Sequence, residues 1–178
     1  MLQVKKKLFP FYTKRLISIN RVARSNVGFE KAYSLGVLYS YETKEKHQAI
    51  LKFSNKLRAN GKKLRVLCYL EGNNKDYDYH FPSFSYHDIQ LLGRIKDDKV
   101  KEFVNASFDY LYFVDLVYNP ILDYLLAKSN AKCRIGKFDP TRTHLFEIMI
   151  KHNSEHANSS MDKLITQMLH YTQLLEGK

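Results

Sequence analysis

Ser34-Leu-Gly-Val-Leu-Tyr-Ser40 and Leu64-Arg-Val-Leu-Cys-Tyr-Leu70 are two short apolar runs separated by a stretch with a different rhythm. Each run is too short for a buried helix and reads as a strand covered on both faces. Between them Ala49, Ile50, Phe53 and Leu57 recur at three- and four-residue spacing, which is the apolar face of a helix. Thr43 stands where an N-cap belongs. Lys46 rather than Glu occupies the reciprocal position, so this is no full capping box. Asn60-Gly61 supplies the left-handed residue that a helix C-terminus favours. Strand, helix of about 17 residues, strand is a βαβ unit with parallel strands and a right-handed crossover.

The pattern continues downstream. Residues 71–87 are polar and aromatic, and Gly72, Asn73, Asn74 and Pro82 mark them as a loop long enough to be functional. A short helix follows, from Ser85 or Asp88 through Leu92. Another, starting near Lys96 to Asp98, has Val100, Phe103 and Val104 on its face. Phe108-Asp-Tyr-Leu-Tyr-Phe-Val114 reads as a third strand, Ala131-Lys-Cys-Arg-Ile-Gly136 as a fourth and Leu145-Phe-Glu-Ile-Met-Ile150 as a fifth. Between the third and fourth, Asn119 and Pro120 are an N-cap and a first helical residue, and Ile121, Leu122, Leu125 and Leu126 form the buried face. A closing helix from about Glu155 to Leu175 presents Met161, Leu164, Ile165, Met168 and Leu169 to the sheet.

This alternation predicts an α/β fold: a single Rossmann-like three-layer domain over residues 32–178, with a mainly parallel sheet of about five strands. Residues 1–31 form a basic N-terminal helix and linker. Ligands of such sheets sit at the carboxyl ends of the strands, at the switch point. That rule nominates Tyr41, Asn73 and Asn119. Arg134, in the fourth strand, has two readings: a pair with a core-edge carboxylate such as Asp109 or Asp115, or a reach to an anion at the strand ends.

The charge is unevenly placed. The chain has 29 Lys and Arg against 18 Asp and Glu, a net +11. Lys5, Lys6, Lys7, Lys14, Arg15, Arg21, Arg24 and Lys31 face one acid, Glu30, so seven of the eleven excess charges lie in the first 31 residues. Residues 8–24 read as an amphipathic helix with Leu8, Tyr12, Leu16, Ile19 and Ala23 on one side, while Lys7, Lys14 and Arg21 share another stripe. Pro10 suits its first turn. Such a helix either docks with a solvated basic face or binds phosphates through it.

Other chemistries are weakly represented. Neither a Gly-x4-Gly-Lys-Ser/Thr loop nor a Gly-x-Gly-x-x-Gly turn is present, which argues against ATP- or NAD-dependent catalysis, and no cofactor is called for. His152 and His156 have metal-ligand spacing, but Asn153 stands where a metalloprotease places its Glu, so no metal site is assigned. His80 and His87, near Asp76, Asp78 and Asp88, lack a second anchor and read as surface residues. Cys68 and Cys133 lie in apolar runs and read as buried reduced thiols. No stretch approaches the apolar length of a membrane span. Lys14, Arg15 and Pro10 interrupt any signal-peptide core, so the expectation is a cytoplasmic protein.

Two resemblances follow from quoted residues. Phe108-Asp-Tyr-Leu through Asn119, with Leu125-Leu-Ala-Lys-Ser-Asn-Ala-Lys-Cys-Arg-Ile-Gly136, resembles part of the N-terminal half of heptosyltransferase-type glycosyltransferases. That resemblance implies a Rossmann-like half of a two-domain enzyme. The chain is too short for the second domain, and its first-strand turn, Ser40-Tyr41-Glu42-Thr43, lacks glycine, so no catalytic residue is carried over. Over nearly its full length the chain resembles a family of short uncharacterised bacterial proteins. The shared features are the basic helix, Leu35-Gly36-Val37, Phe81-Pro-Ser-Phe-Ser85, the Phe-Asp strand and the Ala-Lys-x-Arg-Ile-Gly run.

The leading functional expectation is a non-enzymatic binding protein. Lys5, Lys6, Lys7, Lys14, Arg15, Arg21 and Arg24 would contact the phosphates of RNA or of a ribonucleoprotein such as the ribosome. A glycosyltransferase-like or nucleotide-binding half domain, completed by a partner protein or homodimer, is the alternative. Attachment to an anionic membrane surface through Phe9, Phe11 and Tyr12 beside the cations is a third reading.

Overall fold

A computed structural model describes residues 2–20, 22–71, 80–90, 93–151 and 157–176; side chains are described from Lys7 onward in the first helix and from Met161 onward in the last. The helices are α1 (Leu2–Ile19), α2 (Lys44–Ala59), α3 (Asp98–Asn105), α4 (Pro120–Lys128) and α5 (Ala157–Gln173). The strands are β1 (Ser34–Tyr41), β2 (Lys63–Leu70), β3 (Ser83–Ser85), β4 (Tyr110–Phe113), β5 (Cys133–Lys137) and β6 (Ile148–Ile150). They form one parallel sheet in the order β3-β2-β1-β4-β5-β6. The chain winds outward from β1 to β3, returns to β4 beside β1, and winds outward the other way. The switch point therefore lies between β1 and β4. This is the expected Rossmann-like architecture, with six strands rather than five.

Period-two alternation divides the sheet between two cores. Leu38, Leu67, Tyr69, Phe84, Leu111 and Phe113 face one side, where α3 and α4 cover them together with Phe9 of α1. Leu35, Val37, Tyr39, Cys68, Tyr112 and Ile135 face the other, under α2 and α5. Helix starts follow side-chain chemistry. Thr43 accepts the Lys46 backbone N–H at 3.2 Å, Asp97 caps α3, and Asn119 accepts the Ile121 N–H at 3.0 Å with Pro120 in the first turn of α4. Gly61 ends α2 at φ +73°, a conformation without penalty only for glycine.

Three expectations need correction. The sixth strand, β3, lies inside the segment read as loop, because three residues with one buried side chain give no readable period. The predicted strands at 108–114 and 145–150 shorten to 110–113 and 148–150, since Asp109 and a 3₁₀ turn over Thr143–Leu145 occupy their entrances. The first helix begins at Leu2, so Pro10 lies inside it rather than in its first turn. Its buried side is also rotated. Phe9 is fully buried, Tyr12, Leu16 and Ile17 pack against the core, and Ile19 and Ala23 are exposed. The docking partner decides this: α1 lies along α4 and buries what α4 can cover. No described helix is long and apolar enough to cross a membrane.

Candidate functional site

At the switch point β1 delivers Ser40 and Tyr41, the following turn delivers Glu42, and β4 runs out into Asp115. Lys46, in the first turn of α2, folds its side chain back onto this group and is 95% buried. Its Nζ donates to Asp115 Oδ1 at 2.7 Å, Glu42 Oε1 at 3.0 Å and Ser40 Oγ at 3.2 Å. Asp115 Oδ2 accepts the Ser40 backbone N–H at 2.8 Å, and the Ser40 hydroxyl lies 2.9 Å from both carboxylates. Burial raises the Asp115 carboxyl to about 6, against the pull of the Lys46 charge. Burial also raises Glu42, but the Lys46 charge and hydrogen bonds with Asp115, Lys46 and Ser40 outweigh it and hold that carboxyl below its ordinary value. The cluster ties β1, α2 and β4 together at the strand ends.

In front of the cluster is a cavity of about 250 Å³ lined by Ser40, Tyr41, Glu42, Tyr69, Glu71, Tyr118 and Asn119, with Val117 and Pro120. The Tyr69 side chain is fully buried, with its hydroxyl beside the Asn119 amide. Burial and the Glu71 charge push that hydroxyl up to about 12, partly opposed by the neighbouring Asn119 amide, so it stays protonated. The sequence rule for strand ends thus found Tyr41 and Asn119, which the fold brings to one cavity. It missed Tyr69 and Lys46, whose burial depends on partners distant in sequence. Asn73 lies outside the described residues.

Arg134 is elsewhere. It stands near the amino end of β5 and is held by Glu147, with Nη2 to Oε1 at 2.7 Å and Nε to Oε2 at 3.0 Å. The structural reading of Arg134 is the right one, with a different acid: Asp109 pairs with Lys132 at 2.8 Å, and Asp115 with Lys46.

The N-terminal cations divide. Lys7, Lys14 and Arg15 are exposed on α1, and among the described residues none of them enters an ion pair. Arg24 turns inward, donates to the carbonyls of Ser129 and Ala131, and lies 3.9 Å from Glu147, so it is not a phosphate contact. The side chains of Lys5 and Lys6, and Arg21 altogether, lie outside the described residues. A second cavity, about 660 Å³, opens between α1 and α4 and is lined by Thr13, Lys14, Ile17, Tyr118 and Arg142 among others. Its buried guanidinium is already paired with Asp123 and stacked 5.1 Å over the Phe113 ring.

His80 and His87 are exposed, and His152 and His156 lie outside the described residues. Among the described residues no group of three or more His, Cys, Asp or Glu could hold a metal ion. Cys68 and Cys133 are buried free thiols, raised to about 11 and about 12 by burial.

No curated protein matches the chain. Among solved structures, the Escherichia coli heptosyltransferase WaaC with ADP is similar at a TM-score of 0.42 and 8% identity. The match covers 80% of this chain and 50% of that one, so this chain aligns with half of the enzyme's length. The sequence profile of DUF6913, a family of unknown function, spans residues 5–175, and the chain belongs to that family.

Proposed function

We propose that the protein binds RNA, or a ribonucleoprotein such as the ribosome, through the outward face of α1. One observation carries this reading: three unpaired cations flank an exposed aromatic ring on a helix whose opposite side is anchored in the core. Lys7, Phe11 and Lys14 recur at helical spacing with Arg15 beside them, and Phe11 is 65% exposed while Phe9 is fully buried. Cations along a strip neutralise phosphates and release counterions, and a presented ring stacks on an unpaired base. Membrane attachment needs a free apolar face. Here Phe9, Tyr12, Leu16 and Ile17 are spent on the core, which favours RNA.

Deleting residues 1–24 would strip Phe9 from the core, so charge reversal is the cleaner test. Lys7→Glu/Lys14→Glu/Arg15→Glu changes only exposed side chains. Fluorescence anisotropy with labelled single-stranded RNA is expected to show binding that weakens steeply with salt. The triple variant should lower the slope of log K against log salt by about 2. Equal RNA binding by the variant, or binding to phosphatidylserine vesicles with none to RNA, overturns the reading.

A further inference from the structure

The larger cavity, about 660 Å³ between α1 and α4, lies past the carboxyl ends of β4 and β5, the side on which parallel sheets of this kind receive ligands. Two side chains in its wall hold polar atoms that the core leaves unmatched. Thr13, inside α1, is 6% exposed, and its hydroxyl has no hydrogen-bond partner. A helical threonine can set that hydroxyl on the carbonyl four residues back, here Phe9, and Thr13 does not. Arg142 is 8% exposed. Asp123 takes its Nε and Nη2, which leaves Nη1 without a hydrogen bond among the described residues. Natural interiors seldom keep buried donors idle.

Charge and shape narrow the ligand. The Arg142 guanidinium is offset by Asp123. The other acid of the lining, Asp139, accepts the Thr141 N–H at 2.9 Å and the Thr141 hydroxyl at 2.7 Å. Lys14 also lines the cavity, is exposed, and enters no ion pair among the described residues. The Tyr118 ring is 52% exposed, with the Arg142 guanidinium 5.9 Å from its centre, and Ile17 adds apolar wall. The cavity therefore suits a flat, uncharged ring with oxygen acceptors, joined to an anion that stays outside at Lys14.

We propose, resting on the RNA reading above, that this cavity receives one unpaired keto base, uracil or guanine, turned out of the bound strand. Its phosphate lies at Lys14, which belongs to both the α1 strip and the cavity wall. The ring stacks on Tyr118, and its carbonyl oxygen accepts from Arg142 Nη1 and the Thr13 hydroxyl. Splayed bases in single-stranded RNA are held by this combination of aromatic stacking and edge hydrogen bonds. Arginine only donates. Adenine presents an amino group where uracil and guanine carry a carbonyl, so it is disfavoured. At about 660 Å³ the space accommodates a base with its sugar.

The test compares fluorescein-labelled oligouridylate and oligoadenylate of equal length, titrated with the full chain at one salt concentration and read by fluorescence anisotropy. Oligouridylate is expected to bind about tenfold more tightly. Thr13→Val keeps the side-chain shape and removes only the unpartnered hydroxyl. It should fold with an unchanged or higher Tm, yet bind oligouridylate about fivefold more weakly and oligoadenylate as before. Tyr118→Ala truncates an exposed ring, leaves the core untouched, and should weaken oligouridylate about tenfold. Equal affinity of the wild type for the two RNAs, or an undiminished preference for oligouridylate in either folded variant, overturns this proposal and leaves RNA binding by α1 standing. Failure of both RNAs to bind overturns the two readings together.

Discussion

Lys46 is the residue whose behaviour departs most from its type. A lysine in the first turn of a helix ordinarily points to water, and here it is buried among Asp115, Glu42 and Ser40. Removing one member strands the others' charge in the interior. Lys46→Met is expected to cost about 3–5 kcal/mol in urea unfolding, and Lys46→Met/Asp115→Leu less than the sum of the two single changes. Asp115 also makes stability pH-dependent. Its carboxyl holds a proton up to about pH 6 in the fold, while the unfolded chain releases it near pH 4. Between these values the folded state binds more protons, so this residue's contribution falls as pH rises from 4 to 6. Denaturation across that window should show the decline in the wild type and a flatter profile in Asp115→Asn. Gly136 is constrained for another reason: a β-carbon there would overlap the Phe146 ring. Gly136→Ala should destabilise by about 1–3 kcal/mol in the same assay.

Elements with their own capping chemistry were legible without coordinates. α2 and α4 announce themselves by Thr43, by Asn119-Pro120 and by apolar spacing, and β1 and β2 by their length and composition. β3 was not, because Phe84 alone marks it, and its pairing is set by the finished edge of β2. The buried side of α1 was misread for a similar reason. Its helical period is clear, but which stripe faces inward is chosen by α4, more than a hundred residues away. Phe9→Ala should therefore cost about 3–5 kcal/mol in thermal or urea unfolding, while Phe11→Ala changes stability by less than about 0.5 kcal/mol. An equal effect of the two would mean that α1 does not dock as described. The same distinction governs the strand-end cavity. Tyr41 and Asn119 follow from knowing where strands stop. Tyr69 and Glu42 matter only once β2, β1 and β4 lie side by side.

At the scale of the whole molecule, two regions of opposite charge coexist. The outward side of α1 concentrates cations without acids, and the strand ends concentrate acids around one neutralised lysine. Both cysteines lie inside, on β2 and β5, with β1 and β4 between them. Three strand spacings of about 4.8 Å separate them, beyond the reach of a disulfide. A thiol reagent such as Ellman's should label neither in the native protein and both after denaturation; fast native labelling would contradict their burial. The sheet's outermost members, β3 and β6, are three residues each. Among the described residues, either margin offers a foreign chain seeking to extend the sheet only a brief ladder of unclaimed amide groups, too few to template growth. A protein rich in long parallel pairings, and hence slow to complete its topology, is in this way guarded against polymerising through its own backbone.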